Sequence, residues 1–338
     1  MQPNTRHRVL VVGVGSIGER QLRCFQKTGR AAVMFCEPQA SLREQVAERC
    51  GVADAFADLG DALAARPTIG IICTPAPLHI PLALRLAAAG ADLLIEKPLS
   101  TSQAGVAELR TLATTKSLLV AVGYTLRAHA AVRAMKRVLD ENRFGRPLQI
   151  VATSGQHFPT YRPAYRDTYY RQHATGGGAI QDAMTHLLNL GEHFVGPVDR
   201  LVADAEHQAL EGVTVEDTVH VLTRHGSVLG SYSLNQYQAP NELTVTVVCE
   251  RGTARFESAA ARWQWLTEPG GTWQTETVGP VDRDTNFINQ AEHFLDAVEQ
   301  RGAPLCSLDE GARSLAVNLA VLESVRDHQW QTVEKAVG

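Results

Sequence analysis

The chain has 338 residues, 44% hydrophobic and 20% charged, with a formal net charge of −4. That length predicts about two domains with ample core material, and the acidic balance argues against a nucleic-acid partner. Six scattered cysteines (Cys24, Cys36, Cys50, Cys73, Cys249 and Cys306) show no CxxC pair or zinc-ligand spacing, so they read as reduced core residues of a cytoplasmic protein with no metal site. The N-terminus enters the first strand almost directly, which predicts no signal peptide, and no apolar run is long enough to span a bilayer. Val9-Leu10-Val11-Val12 reads as a buried parallel strand, and Leu22 and Phe25 repeat at helical spacing beyond it. Between them stands Gly13-Val14-Gly15-Ser16-Ile17-Gly18. Gly13 permits the tight turn, Gly15 lets backbone approach a pyrophosphate, and Gly18 allows close packing of helix on strand. The helix start then presents unpaired N–H groups to phosphate. A second apolar run, Ala31-Ala32-Val33-Met34-Phe35-Cys36, ends in Glu37, at the distance expected of the acid that bonds the adenosine ribose.

Residues 41–50 carry helical spacing, with Gly51 as the stop. Ile69-Gly70-Ile71-Ile72-Cys73 is a further buried strand, ending at Thr74-Pro75, and a helix from about His79 runs to a cap at Gly90. Leu93-Leu94-Ile95 is the next strand, ending in Glu96-Lys97-Pro98. Ser100, Thr101 and Ser102 are candidate N-caps for a helix bearing Val106, Leu109 and Leu112. Leu118-Leu119-Val120-Ala121-Val122 closes the alternation. Alternating strands and helices imply a doubly wound parallel sheet, with ligands at the carboxyl ends of its strands. Thr74, Glu96, Lys97, Gly123 and Tyr124 all fall at such ends. Pro98 restricts Lys97 toward extended backbone, and an ammonium beside a nicotinamide favours a developing alkoxide.

These residues make the chain resemble the glucose-fructose oxidoreductase, inositol dehydrogenase and rhizopine catabolism (Gfo/Idh/MocA) oxidoreductase family. The resemblance rests on Val11-Val12-Gly13-Val14-Gly15-Ser16-Ile17-Gly18, on Thr74-Pro75 followed by His79, and on Glu96-Lys97-Pro98-Leu99. Ala76 departs from it, since members often carry asparagine after Thr-Pro. The candidate cofactor-binding set is Gly13, Gly15, Ser16, Ile17, Gly18, Glu37, Thr74, Pro75, His79, Glu96 and Lys97. NAD is the expected cofactor because Pro38 and Gln39 supply no cation beside Glu37; Arg43, early in the next helix, keeps NADP open.

In the second half, residues 126–142 read as a helix leading out of the first domain, and Gly145-Arg146-Pro147 breaks it. Strand signals follow at 148–152, 219–222, 228–234 and 243–249, with a short turn at His225-Gly226. Their closeness predicts a largely antiparallel sheet in an α+β domain. The expected division is therefore a Rossmann domain over residues 1–125 and a substrate-binding and oligomerisation domain over 126–338. Phe287, Ala291, Phe294, Leu295 and Val298 mark an amphipathic helix, and Ser307 with Glu310 has capping-box spacing.

The segment 157–172 interleaves Tyr161, Arg162, Tyr165, Arg166, Tyr169, Tyr170 and Arg171. Tyrosines that face sugars and arginines that hold hydroxyls or carboxylates make it a candidate lining for a polar pocket. Gly176-Gly177-Gly178 then opens a helix in which Asp182 and His186, four apart, share a face. Histidine is the side chain suited to proton exchange near neutral pH. The resemblance implies that Lys97, Asp182 and His186 occupy catalytic positions, with Asn189 where several members have aspartate. Candidate substrate-binding residues are Lys97, Tyr124, Tyr161, Arg166, Tyr169, Asp182 and His186.

The reading that results is an NAD(P)-dependent oxidoreductase acting on a secondary hydroxyl of a sugar, cyclitol or sugar derivative. It is expected as a homodimer or homotetramer without nucleic-acid or membrane partners. The competing readings are a non-catalytic dinucleotide-binding regulator and a redox-assisted glycosidase.

Overall fold

The computed structural model of the chain describes residues 7–279, 282 and 284–334. They divide into two units, residues 7–128 with 282 and 284–312, and residues 129–279 with 313–334. The sequence boundary at 125/126 falls close to the first crossing. The return of residues 282 and 284–312 to the first unit departs from the expected division.

In the first unit, β1 (His7–Val12), β2 (Ala31–Cys36), β3 (Ala55–Phe56), β4 (Ile69–Ile72), β5 (Asp92–Ile95) and β6 (Val120–Val122) form one sheet in the order β3-β2-β1-β4-β5-β6. Every pairing is parallel. The strand order reverses between β1 and β4, which opens a crevice at their carboxyl ends. β-Branched and aliphatic side chains buried on both faces, such as Val9 and Leu10 in β1 and Ile71 and Ile72 in β4, explain why these runs show no alternation. Helix Ser16–Lys27 puts Leu22 and Phe25 into the same core. Helix Thr285–Gln300 adds Ala291, Phe294, Leu295 and Val298, and Phe294 meets Phe25 edge-on with ring centroids 6.4 Å apart. Its apolar stripe is why the segment belongs here rather than with its neighbours in sequence. The expected caps at Ser100–Ser102 are not used: the helix Val106–Lys116 begins after Gly105.

In the second unit, β7 (Pro147–Gly155), β8 (Arg200–Glu206), β9 (Thr218–His225), β10 (Val228–Asn235), β11 (Glu242–Cys249), β12 (Gly252–Glu257), β13 (Arg262–Leu266), β14 (Gln274–Thr277) and β15 (Gln331–Thr332) form a second sheet. Its order is β14-β13-β12-β11-β7-β10-β9-β8-β15, antiparallel except where β7 lies parallel to β10. Burial alternates along β9 and β10, so one face is covered. Helix Thr185–Val195 covers it at β10, where Gly191 has no Cβ to collide with the Tyr232 hydroxyl. All six cysteines are free. No helix among the described residues is long and apolar enough to cross a membrane.

Candidate active site

The glycine turn ends β1 as anticipated. Gly13 has φ +82° and donates its amide to the Cys36 carbonyl at 2.9 Å. Gly18 lies directly over it, where a Cβ would run into the Gly13 carbonyl oxygen. Gly15 faces open space, with no atom within 4 Å of where its Cβ would stand. Gly15, Ser16 and Ile17 are exposed, and the helix N-terminus has no side-chain cap. Its first amides are thus left for an external acceptor. The arrangement fits a dinucleotide pyrophosphate.

Glu37 follows β2 with its carboxylate turned onto that turn. Oε2 accepts the Val14 amide at 3.2 Å and Oε1 accepts the Gln39 amide at 3.1 Å. Arg43 directs Nη1 to the carbonyl oxygens of Glu37 and Pro38, at 2.8 and 3.3 Å. Thr74 and Pro75 follow β4, and a Cβ on Gly13 would come within 3.0 Å of the Thr74 methyl. The glycine turn and the Thr74 loop therefore stand side by side at the switch point of the sheet.

His79 and Glu96, both among the candidate cofactor-binding residues, are buried. The His79 ring is buried, with Nε2 2.7 Å from the Thr74 carbonyl and Nδ1 2.9 Å from the Pro98 carbonyl. It ties the loop after β4 to the loop after β5. Burial lowers its pKa, against the opposing pull of those carbonyls. Glu96 is also buried; its Oε1 accepts Gln21 Nε2 at 2.6 Å and its Oε2 accepts the Lys97 amide at 3.3 Å. Burial pushes its carboxyl pKa up, partly offset by Gln21 and Lys97. Gln21 also reaches Gln290 at 3.2 Å, so helix Thr285–Gln300 helps to hold the loop that carries Lys97. Lys97 is half-buried and its bond to Pro98 is cis. Tyr124 is buried after β6.

In the second unit, residues 158–175 fold into a short helix, Phe158–Tyr161, and three tight turns. Phe158, Tyr165 and Tyr170 go inward with Leu210, Val213 and Val215. The aromatic interleaving is thus mostly a small core that holds the segment in place. Tyr161 is exposed. Arg166 lies over the Tyr165 ring, donates Nε to its hydroxyl at 3.0 Å, and has Nη2 3.5 Å from Glu211.

Asp182 sits in a π-turn, Ile180–Met184, that runs into helix Thr185–Val195, and His186 occupies the first turn of that helix. Such wide turns recur at functional positions. Two residues of the loop grip the Asp182 carboxylate: Tyr169 donates to Oδ1 at 2.6 Å and Arg162 Nη1 to Oδ2 at 3.0 Å. Asp182 in turn raises the pKa of the Arg162 guanidinium. Glu216 anchors the start of the turn, accepting the Ile180 amide at 2.8 Å on its side chain and the Ala179 amide at 2.9 Å on its carbonyl. His173 pairs with the other Glu216 oxygen. Asn189 is buried and donates to Ser314 Oγ at 2.9 Å, which donates to Glu192 at 3.0 Å.

Arg162, His173 and Glu216 stand outside the site residues expected from the sequence. Arg162 lay within the flagged segment, but its pairing with Asp182 spans 20 positions. Glu216 carried no local signal.

Residues 7–124 match the family described as "Oxidoreductase family, NAD-binding Rossmann fold", and residues 132–255 match the "GFO/IDH/MocA C-terminal domain". Among curated proteins, the chain is 22% identical to a levoglucosan dehydrogenase of Pseudarthrobacter phenanthrenivorans, over 89% of each chain. It is 24% identical to a 1,5-anhydro-D-fructose reductase of Ensifer adhaerens, over 96% of this chain and 98% of the other. A solved levoglucosan dehydrogenase in complex with NADH and levoglucosan superimposes with a TM-score of 0.88 at 20% identity, covering 97% of this chain and 99% of that one. That likeness is one of fold.

Proposed function

The chain belongs to the Gfo/Idh/MocA oxidoreductase family, and on that premise we propose that it moves a hydride between NAD and a secondary hydroxyl or ketone of a sugar, cyclitol or sugar derivative. The observation that carries the reading is the exposed, open-faced Gly15 turn with the Glu37 carboxylate fastened to it. Gly13, Gly15, Ser16, Ile17 and Gly18 would hold the pyrophosphate, Glu37 the adenosine ribose, and Thr74 and Pro75 the adjoining loop. His79 and Glu96 act from beneath, keeping the loops in register. The names of the two curated relatives, a levoglucosan dehydrogenase and a 1,5-anhydro-D-fructose reductase, support a sugar-like substrate.

When bound, the nicotinamide supplies the hydride acceptor or donor. In the oxidative direction His186 takes the hydroxyl proton while the hydride leaves the same carbon, so the C–O bond becomes a carbonyl. Lys97 stabilises the oxyanion character that develops on that oxygen. Asp182 orients the reacting group. Tyr124, Tyr161, Arg166 and Tyr169 are the further residues assigned to substrate recognition, Tyr169 through its bond to Asp182. Tyr124, being buried, acts by shaping the loop after β6.

NAD is favoured over NADP because the Glu37 carboxylate would face a 2′-phosphate, while Arg43 is engaged with backbone carbonyls. The protein acts as a homodimer or homotetramer; Leu222 and Leu229, 52% and 46% exposed, lie on one face of the large sheet and support this. A panel of polyols, aldoses, anhydrosugars and nucleotide sugars, followed by NADH absorbance with each cofactor, tests the assignment. Turnover of one class with NAD supports it. NAD binding without turnover of any class would leave a binding module instead of an enzyme.

A further inference from the structure

We propose that Arg162 is a positioning residue for Asp182, acting with Tyr169 as a two-donor clamp that sets the orientation of the carboxylate for the reaction. The proposal rests on the reading above, in which Asp182 takes part in catalysis. The Asp182 side chain is 1% exposed, while that of Arg162 is 51% exposed. A buried carboxylate must be compensated by donors, and here they come from a separate segment of chain. Arg162 takes Oδ2 and Tyr169 takes Oδ1, so the two contacts together restrict rotation of the carboxylate about its own axis.

Each donor is itself fixed. The Arg162 guanidinium lies 5.1 Å over the Phe158 ring, and its backbone amide donates to the Phe158 carbonyl at 2.7 Å. The Tyr169 carbonyl accepts Thr175 Oγ1 at 2.6 Å, and the next residue, Tyr170, is buried in the small aromatic core. The helix side is fixed as well: Glu216 holds the Ile180 amide, and Gln181 Nε2 donates to the His173 carbonyl at 2.9 Å. Loop and π-turn are also tied to each other through His173, which meets both Gln181 and Glu216, and the two meet again at the Asp182 carboxylate. Asp217 shows the contrasting use of a buried acid. It accepts the backbone amides of Gln208, Ala209 and Leu210, and so folds a loop. At Asp182 the donors are instead side chains, so the contacts set the carboxylate and fold no backbone segment around it.

The test compares Arg162→Ala, Arg162→Lys, Tyr169→Phe, Asp182→Asn and the Arg162→Ala/Asp182→Asn double variant. For each, kcat, KM and the dissociation constant of NAD are measured. Arg162→Ala is expected to lower kcat by about 10- to 100-fold, the cost of a small misplacement of a reacting group. NAD affinity is expected to stay at the wild-type value. Millimolar guanidinium added to Arg162→Ala should restore part of kcat by returning a donor to Asp182, with KM little changed. Arg162→Lys, which keeps charge but not the planar fork, should fall between the two and guards against a misfolded alanine variant. The double variant should be no slower than Asp182→Asn, because the clamp acts through Asp182. The proposal is overturned if Arg162→Ala keeps wild-type kcat beside a defective Asp182→Asn. Multiplying losses in the double variant, or a rise in KM alone, would equally overturn it. Wild-type kcat in Asp182→Asn would instead bring down the reading of Asp182 itself, and the clamp with it.

Discussion

The Glu37 carboxylate accepts a hydrogen bond from the backbone amide of Val14, 3.2 Å away and 23 positions earlier. The acid that closes β2 is thus part of the same rigid turn as the glycines that close β1. Its other oxygen accepts the Gln39 amide, so its direction is set before any cofactor arrives. A preset acceptor loses little freedom when it bonds a ribose, and a preset negative charge cannot easily swing away from a phosphate.

Cofactor preference follows from this pair. The wild type is expected to bind NAD more tightly than NADP. Glu37→Ala should weaken NAD by about 1.5–3 kcal/mol, the usual worth of a charged hydrogen bond, and narrow or reverse the preference. Calorimetric titration of both cofactors into both proteins checks it; tighter NADP binding by the wild type, or an unaltered preference in the variant, would remove Glu37 from this role.

Two glycines of the turn should respond oppositely to the same substitution. Gly18→Ala places a methyl against the Gly13 carbonyl oxygen, and overpacking of that kind costs about 1–3 kcal/mol or more. Its Tm should fall and NAD binding with it. Gly15→Ala meets no protein atom and has an ordinary φ of −61°, so its Tm should match the wild type. It should still lose NAD affinity, because the methyl stands where the pyrophosphate approaches. Thermal unfolding beside cofactor titration separates the two effects.

Lys97→Ala and His186→Ala are both expected to fold and to bind NAD. Each should lose turnover by about 10²–10⁴-fold, the usual cost of removing a positioned acid–base group. Near-normal kcat in either purified variant would exclude that residue from the chemistry.

The His173–Glu216 pair predicts a pH dependence. Its hydrogen bond with Glu216 holds the His173 imidazole above its ordinary pKa, against partial burial. A raised folded pKa means that the pair stabilises fully below the unfolded value, about 6.5, and that this contribution is lost as pH rises through the raised folded value. The Tm difference between wild type and His173→Gln should therefore be largest in mild acid and shrink as pH rises through the raised folded pKa. A difference that does not change with pH would show that the pair acts through its neutral hydrogen bond alone.

Short-range chemistry was legible in the chain itself. The glycine turn and the Gly51 stop depend on neighbours a few positions apart, and Gly51 takes the left-handed conformation at the helix end. The Ser307–Glu310 box makes both of its bonds, at 2.9 and 3.2 Å, because Ser307 and Glu310 stand one helical turn apart. The tertiary structure decided everything that depends on which way a side chain turns or on what it meets. The stripe on 285–300 announced a buried face, but only packing could put Phe294 against Phe25. The resemblance placed His79, and strand-end position Glu96, near the crevice, yet a residue there can turn toward solvent or inward, and both turned inward. Asp182 and His186 were visible as a helical pair, whereas the grip of Arg162, Tyr169 and Glu216 on that helix was not. Those contacts join positions 13 to 36 residues apart, and no period or motif encodes a distance that only the folded loop creates.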